Sequence, residues 1–235
     1  MAALGLALLA SLAAALGGML PVYTRVREIG TRYLLGFAAG VMVSVGLVVM
    51  LPQMAKQEGA SFIALAIGFF ALYATEKMVT IHSCREGECE VHGARWTTLI
   101  GVATESLLDG IAIAVGYSLA PAVGLTIAFA VMAHEFPRGF TTTAIFQASG
   151  YSRWKVLGAL SIDVLLTPVG VGLVLLGLFP DGFFGPLLAF TAGTFIYIGA
   201  SDLLPEAHRH WNIWVVVSVI AGALLIPMLE IVTGV

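Results

Sequence analysis

The sequence predicts an all-α polytopic membrane protein with eight transmembrane helices, inverted-repeat character and both termini extracytoplasmic. Three observations predict it. Of the 235 residues, 59% are apolar and the mean hydropathy is +0.99. Charged residues make up 11%, against about 25% in an average soluble domain. Apolar stretches of about 20 residues, the length needed to cross a hydrocarbon core, recur along the chain. A soluble domain of this length cannot hide so much apolar surface. An ordinary soluble enzyme, a disordered chain and a nucleic-acid binder are therefore excluded. The formal net charge of -3 supplies no basic footprint for a phosphate backbone.

The eight stretches fall at about 2–21, 33–53, 60–80, 97–118, 121–146, 155–178, 185–204 and 211–232. The connections are short, so residues 1–235 read as a single transmembrane unit without a second domain. The runs are too long for barrel strands, which alternate over segments of about 10 residues. The first stretch is rich in Ala and Leu, as a signal peptide is. No Lys or Arg precedes its apolar run, so the charged leader region is missing and the stretch reads as a first helix.

Orientation follows from the cations, because cytoplasmic loops collect Lys and Arg. Arg25, Arg27 and Arg32 lie in or beside the first connection, and Lys77, Arg85 and Arg95 around the third. Arg153 and Lys155 flank the fifth, and Arg209 lies in the seventh. The even-numbered connections hold only Lys56. Odd connections are therefore read as cytoplasmic, including the loop 82–96. The remaining cation, Arg138, falls inside the fifth helix.

The second and seventh helices resemble each other. Residues 36–54 (GFAAGVMVSVGLVVMLPQM) align with 189–207 (AFTAGTFIYIGASDLLPEA) through Phe37/Phe190, Ala39/Ala192, Gly40/Gly193, Gly46/Gly199, Leu51/Leu204 and Pro52/Pro205. The two helices run in opposite senses under this topology, which is the pattern of an inverted repeat. Glu105-xxx-Asp109-Gly110 and His134-xxx-Arg138-Gly139 give a second, fainter echo between helices four and five.

Ionisable groups inside the spans carry the chemistry. Helix four holds Glu105 and Asp109. Helix five holds His134, Glu135 and Arg138. Helix six holds Asp163, helix seven Asp202, and helix three Glu76 near its inner end. A mid-span charge costs roughly 2.5–3.5 kcal/mol on translocon scales, so six unpaired groups would cost on the order of 15–20 kcal/mol. They must face one another, water or a ligand. Residues four apart share a helical face, which joins Glu105 to Asp109 and His134 to Arg138. Pro137 and Pro168 each remove a backbone hydrogen bond beside these residues. Five carboxylates (Glu105, Asp109, Glu135, Asp163, Asp202) face one fixed cation, and the excess negative charge calls for protons or a bound cation. Carboxylates with an imidazole suit Zn²⁺, Mn²⁺ or Fe²⁺, and Met42 could add a thioether. The bland alternatives are neutral acids bonded between helices, a satisfied core histidine at His134, a structural ion pair at Arg138, helix–helix glue at Asp163, interfacial charges at Glu76 and Asp202, and plain packing at Met42.

At these residues the sequence resembles the ZIP (Zrt/Irt-like protein) family of divalent-metal transporters. Family helix four typically reads His-Asn-x-x-x-Asp-Gly, and here the stretch is Glu105-Ser106-Leu107-Leu108-Asp109-Gly110. Family helix five reads His-Glu-x-Pro-Glu/His, and here it is His134-Glu135-Phe136-Pro137-Arg138. Helix seven ends Asp202-Leu203-Leu204-Pro205-Glu206-Ala207, similar to the family's acidic-Leu-Leu-Pro-Glu-Ala run. Glu105 and Ser106 depart from the usual His and Asn. Arg138 replaces a Glu that can bridge two metals, and Thr167 stands where some members have another Glu. The resemblance thus implies a mononuclear site of Glu105, Asp109, His134 and Glu135, with Ser106, Met42 and Asp163 as further metal-site candidates. Arg138 would take the place of a second metal's charge. Exchanging His for Glu105 hardens the site and moves preference toward Mn²⁺ or Fe²⁺.

The implied function is import of a divalent metal (zinc, with manganese, iron or cadmium as alternatives) into the cytoplasm, from a site between helices four and five toward Glu76 and Asp202. No cofactor is required, and no GxxxxGK[ST] signature indicates ATP use. Proton exchange by the ligands implies pH dependence. The partners are the metal ions and the bilayer, with no nucleic acid. A homodimer is left open, and the expected location is the plasma (inner) membrane. In the loop, His82, Cys84, Cys89 and His92 could gather exiting metal, as could His208 and His210. CxxxxC is not a structural zinc spacing, so a solvated linker is the alternative. Two rival functions remain at this stage. One is an intramembrane hydrolase using His134 and Glu135, weakened by the absence of HExxH. The other is a metal-sensing membrane protein without flux.

Overall fold

The computed structural model describes residues 1–23, 31–57, 59, 61–81, 96–209 and 212–233. Among these, the chain is all helical. Its long elements are α1 (Ala2–Tyr23), α2 (Arg32–Ala55), α3 (Phe62–Ile81), α4 (Trp96–Leu119), α5 (Pro121–Ala148), α6 (Arg153–Leu175), α7 (Phe184–Ala207) and α8 (Ile213–Thr233). Six of them, α1, α2, α4, α6, α7 and α8, are long and apolar enough to cross a membrane. This is a polytopic membrane protein. Its outer helices present large apolar side chains outward, such as Phe62, Ile63 and Phe70 on α3 and Ile220, Leu224 and Met228 on α8.

Local chemistry sets the boundaries. Only Ala120, extended at φ -157° and ψ 128°, separates α4 from α5, and Pro121 opens α5, where its missing N–H costs nothing. The α5 helix stops at Gly150, which has φ +77°. Gly150 N donates to Gln147 O at 2.9 Å and Tyr151 N to Phe146 O at 3.3 Å, with the Phe146 and Tyr151 rings in contact. Such paired bonds with an apolar contact satisfy the last carbonyls of a helix. The same device ends α6 at Leu175, short of the expected 178. Gly177 has φ +73°, and Gly177 N and Leu178 N donate back to Val174 O and Leu173 O. In the other direction, α7 runs past the expected 204 to Ala207.

The overrun in α7 has a counterpart in α2. Each helix contains one six-residue π-helical stretch, Val45–Met50 in α2 and Ile198–Leu203 in α7. The two fall at equivalent positions when Phe37 is aligned with Phe190. Each is followed by a proline, Pro52 or Pro205. A proline in a helix cannot donate and its ring presses on the carbonyl four residues back. One wider turn just before it relieves that clash while the helix continues.

Packing repeats along with the sequence. In α2, Gly40 lies against the Val219 carbonyl of α8, and Gly222 of α8 against the Phe37 carbonyl. In α7, Gly193 lies against the Leu65 carbonyl of α3, and Gly68 of α3 against the Phe190 carbonyl. The fainter echo behaves likewise. Gly139 of α5 abuts the Ala14 carbonyl of α1, and Gly110 of α4 abuts the Thr167 carbonyl of α6. A Cβ at any of these glycines would overlap facing backbone. Small residues permit such close crossings where burial of apolar surface drives no association. The result places α4 and α5 side by side, flanked by α6 and α1.

Candidate metal site

The close crossing of α4 and α6 at Gly110 and Gly170 fixes the site's width. It sets Ser106 Oγ 2.5 Å from Asp163 Oδ1. Pro137 lies within α5 without interrupting it, and His134, Glu135 and Arg138 are all buried. The predicted residues Glu105, Ser106, Asp109, His134, Glu135, Arg138 and Asp163 therefore meet between three helices. The remaining predicted residues do not join them in any contact described. Met42 is fully buried in the apolar core. Glu76 accepts a short hydrogen bond from the Tyr197 hydroxyl and lies 3.3 Å from Lys77 Nζ. Asp202 sits exposed on the π-helical stretch of α7, within electrostatic reach of Glu76, Arg138 and His134. His208 Nδ1 donates to Leu204 O, 2.9 Å away. His82, Cys84, Cys89, His92 and His210 lie outside the described residues.

The cluster has two layers about one helical turn apart. Residues Asp109 and His134 form one, and Glu105, Ser106, Arg138 and Asp163 the other. In the second layer the Arg138 guanidinium is the hub. Its Nη1 lies 3.0 Å from Glu105 Oε2 and 3.8 Å from Asp109 Oδ2. Its Nη2 is shared among Asp163 Oδ1 at 2.8 Å, Ser106 Oγ at 2.7 Å and a short contact to Glu135 Oε1. The sequence suggested a single carboxylate partner for Arg138; the structure supplies three close ones. A planar fork with several donors suits such multiple pairing.

The first layer is left unsatisfied. His134 Nδ1 lies 3.1 Å from Ala130 O. A carbonyl only accepts, so the proton sits on Nδ1. In the neutral imidazole Nε2 then carries a bare lone pair. That nitrogen lies 3.2 Å from Asp109 Oδ2. Among the described residues neither atom has a hydrogen bond, and neither does Glu135 Oε2, Asp163 Oδ2 or Thr167 Oγ1. Two buried acceptors facing each other at this distance repel unless a positive charge lies between them. Buried polar atoms without partners are costly, so their grouping marks a place for a cation. Asp109, His134 and Glu135 each offer one ligand atom, all within 4.8 Å of one another. Donors around a tetrahedral Zn²⁺ at about 2.0–2.2 Å stand roughly 3.3 Å apart, so Glu135 needs only a small inward move.

Sequence reasoning missed Tyr197, which ties α7 to α3 through Glu76 and whose ring packs edge-on to Phe69. A tyrosine among apolar residues gives no signal. Thr167, which the resemblance set where some members have another Glu, is buried one turn beyond Asp163 with its hydroxyl unpartnered among the described residues.

An α-helical membrane protein with buried carboxylates and an imidazole converging on unsatisfied lone pairs is a cation-handling membrane protein. Comparison with known proteins is more specific. The family described as ZIP Zinc transporter matches residues 82–230, and the chain belongs to that family. Zinc transporter ZIP13 of Pongo abelii is 25% identical across 88% of this chain and 71% of its own length. Zinc transporter ZIP9 of Micropogonias undulatus is 26% identical across 63% of this chain and 53% of its own length. Zinc transporter zipt-7.1 of Caenorhabditis briggsae is 28% identical across 52% of this chain, which spans about a third of that protein. Family members are zinc transporters, not enzymes, and the hydrolase alternative falls with that.

Proposed function

We propose that the chain carries one divalent metal ion at a time into the cytoplasm, through a site between α4 and α5. All eight long helices would span the membrane, with both termini outside and the plasma (inner) membrane as the location. The observation that carries this reading is the facing pair of lone pairs on His134 Nε2 and Asp109 Oδ2, 3.2 Å apart and without hydrogen bonds. Asp109, His134 and Glu135 are proposed as the inner ligands, with Glu105 at the rim of the cluster, where its side chain keeps 16% exposure. Arg138 fills the space among Glu105, Glu135 and Asp163 with a fixed positive charge, which supports a mononuclear site. Ser106 and Asp163 then serve the guanidinium rather than the metal, and Met42 serves packing.

Zinc is the first candidate cargo, given the similarity to zinc transporters. The carboxylate-rich ligand set supports manganese and iron as further candidates, and gives the softer cadmium no added support. Glu76 and Asp202 lie toward the end of the bundle that also holds the Glu105–Arg138 layer. They are proposed as carboxylates that receive the ion on its way in. The aligned halves α2/α8 and α7/α3 support alternating access by movement of one helix group against another.

Purified protein in proteoliposomes tests the reading. Radioactive zinc should accumulate above the level of empty vesicles, and His134→Ala should remove the difference. Wild-type vesicles that accumulate no more metal than empty ones would rule out transport.

A further inference from the structure

Glu135 belongs to both layers of the site. Its Oε1 accepts from Arg138, while its Oε2 is buried without a hydrogen bond among the described residues and its carboxylate belongs to the possible metal-holding group. Arg138 is held on its other sides by Glu105, Ser106 and Asp163. Its guanidinium cannot drift far from the metal layer. A fixed unit charge therefore stands about one helical turn from the place where a divalent ion would sit. Bulk solvent does not screen them, since Asp109, His134, Glu135 and Asp163 are all essentially inaccessible.

We infer that Arg138 is the affinity-setting residue of the metal site: a resident cation that shares Glu135 with the cargo and keeps the ion loosely held. The inference rests on the proposed metal site. Its physical content is repulsion. Even with the dielectric of bulk water, a unit and a double positive charge about 5 Å apart repel enough to change an affinity at least ten-fold. A carrier gains from this, because an ion bound by two or three carboxylates and an imidazole in a dry site would otherwise leave slowly. Arg138 also withholds part of Glu135 from the metal, so the two cations compete for one carboxylate. Its position toward the Glu76 and Asp202 end places the repulsion on the side where the ion leaves.

The test is zinc binding to purified protein by calorimetry, together with zinc uptake by proteoliposomes. Arg138→Gln should lower the first-ion Kd for Zn²⁺ by about ten-fold or more. In transport, its KM and its maximal rate should fall together. A general loss of structure would lower the rate without tightening binding. Arg138→Lys keeps the charge and should keep a Kd close to wild type. Should Arg138→Gln fail to assemble, Glu105→Gln and Glu105→Gln/Arg138→Gln give the same comparison with one carboxylate fewer, and the double variant should bind more tightly than the single. An unchanged or weaker Kd on loss of the arginine overturns the inference, as does an Arg138→Lys protein that binds as tightly as Arg138→Gln. Absence of flux in the wild type would instead overturn the transport reading, and it leaves the Kd comparison intact.

Discussion

His134 Nε2 lies 3.2 Å from Asp109 Oδ2, and neither atom has a hydrogen bond among the described residues. The imidazole is aimed by its own helix through Nδ1 and Ala130 O, and the carboxylate comes from the neighbouring helix α4. The pair is thus preset by backbone positions rather than by each other. Such an arrangement calls for a positive charge between the two atoms, which a proton on Nε2 or a metal ion would supply.

Removing either member should therefore abolish high-affinity metal binding without unfolding the protein. His134→Ala and Asp109→Asn are each expected to weaken Zn²⁺ binding by about 100-fold or more, beyond the 10–100-fold typical of groups that merely orient ligands. Glu105→Ala is expected to abolish uptake as well. Calorimetry on purified protein measures the affinity. Surface labelling confirms that the variants reach the membrane. Wild-type uptake by His134→Ala or Glu105→Ala refutes the assignment.

How much of this was legible in the sequence depends on the scale. The long helices and their approximate bounds followed from hydrophobic length, and six of them are long and apolar enough to cross a membrane. The pairing of α2 with α7 was visible in Gly40/Gly193 and Pro52/Pro205, and the matched π-helical stretches show that the similarity is structural. The convergence of Glu105, Asp109, His134, Glu135 and Asp163 was legible because charges in lipid must find one another. The hub role of Arg138 was not. Its three carboxylate partners come from α4, α5 and α6, and which of them it reaches depends on how closely α4 and α6 cross at Gly110 and Gly170. Helix ends were the least legible, because the stop at Leu175 depends on Gly177 adopting φ +73°. The sequence around it, with glycine also at 170 and 172, does not single that residue out.

Glu105 should govern metal preference. It offers a hard oxygen where the resemblance places an imidazole, and oxygen donors favour manganese and iron relative to zinc. Competition uptake with labelled zinc should show substantial inhibition by Mn²⁺ or Fe²⁺ in the wild type. Glu105→His should reduce that inhibition by several-fold. Strict zinc selectivity in the wild type would show that Glu105 does not set the preference.

The number of bound ions reports on Arg138 independently of affinity. The wild type is expected to bind one divalent ion in the cluster. Arg138→Glu replaces the fixed cation with a carboxylate among Glu105, Glu135 and Asp163, so a second divalent ion should enter and the stoichiometry should rise to two. Metal analysis after equilibrium dialysis counts the ions. A wild-type protein that binds two ions in this cluster would contradict the mononuclear reading.

The glycine crossings should dominate the stability of the bundle. A Cβ at Gly170 would overlap the Leu107 carbonyl, and one at Gly110 the Thr167 carbonyl. Backbone cannot yield as a side chain can, so Gly170→Ala and Gly110→Ala must push α4 from α6. Overpacking of this kind costs about 1–3 kcal/mol. Gly158 and Gly172 lie on the same helix, α6, with open space around them. There alanine should be neutral or should stabilise by up to about 1 kcal/mol, the helix-propensity gain over glycine. Thermal unfolding in detergent should therefore show opposite signs within one helix: a midpoint lowered by several degrees for Gly170→Ala, and one unchanged or raised for Gly172→Ala. Separation at Gly110 also draws Ser106 from Asp163, so zinc affinity should change in Gly110→Ala and stay at wild type in Gly158→Ala. Equal effects at all four positions would show that helix propensity, not the close crossing, determines the outcome.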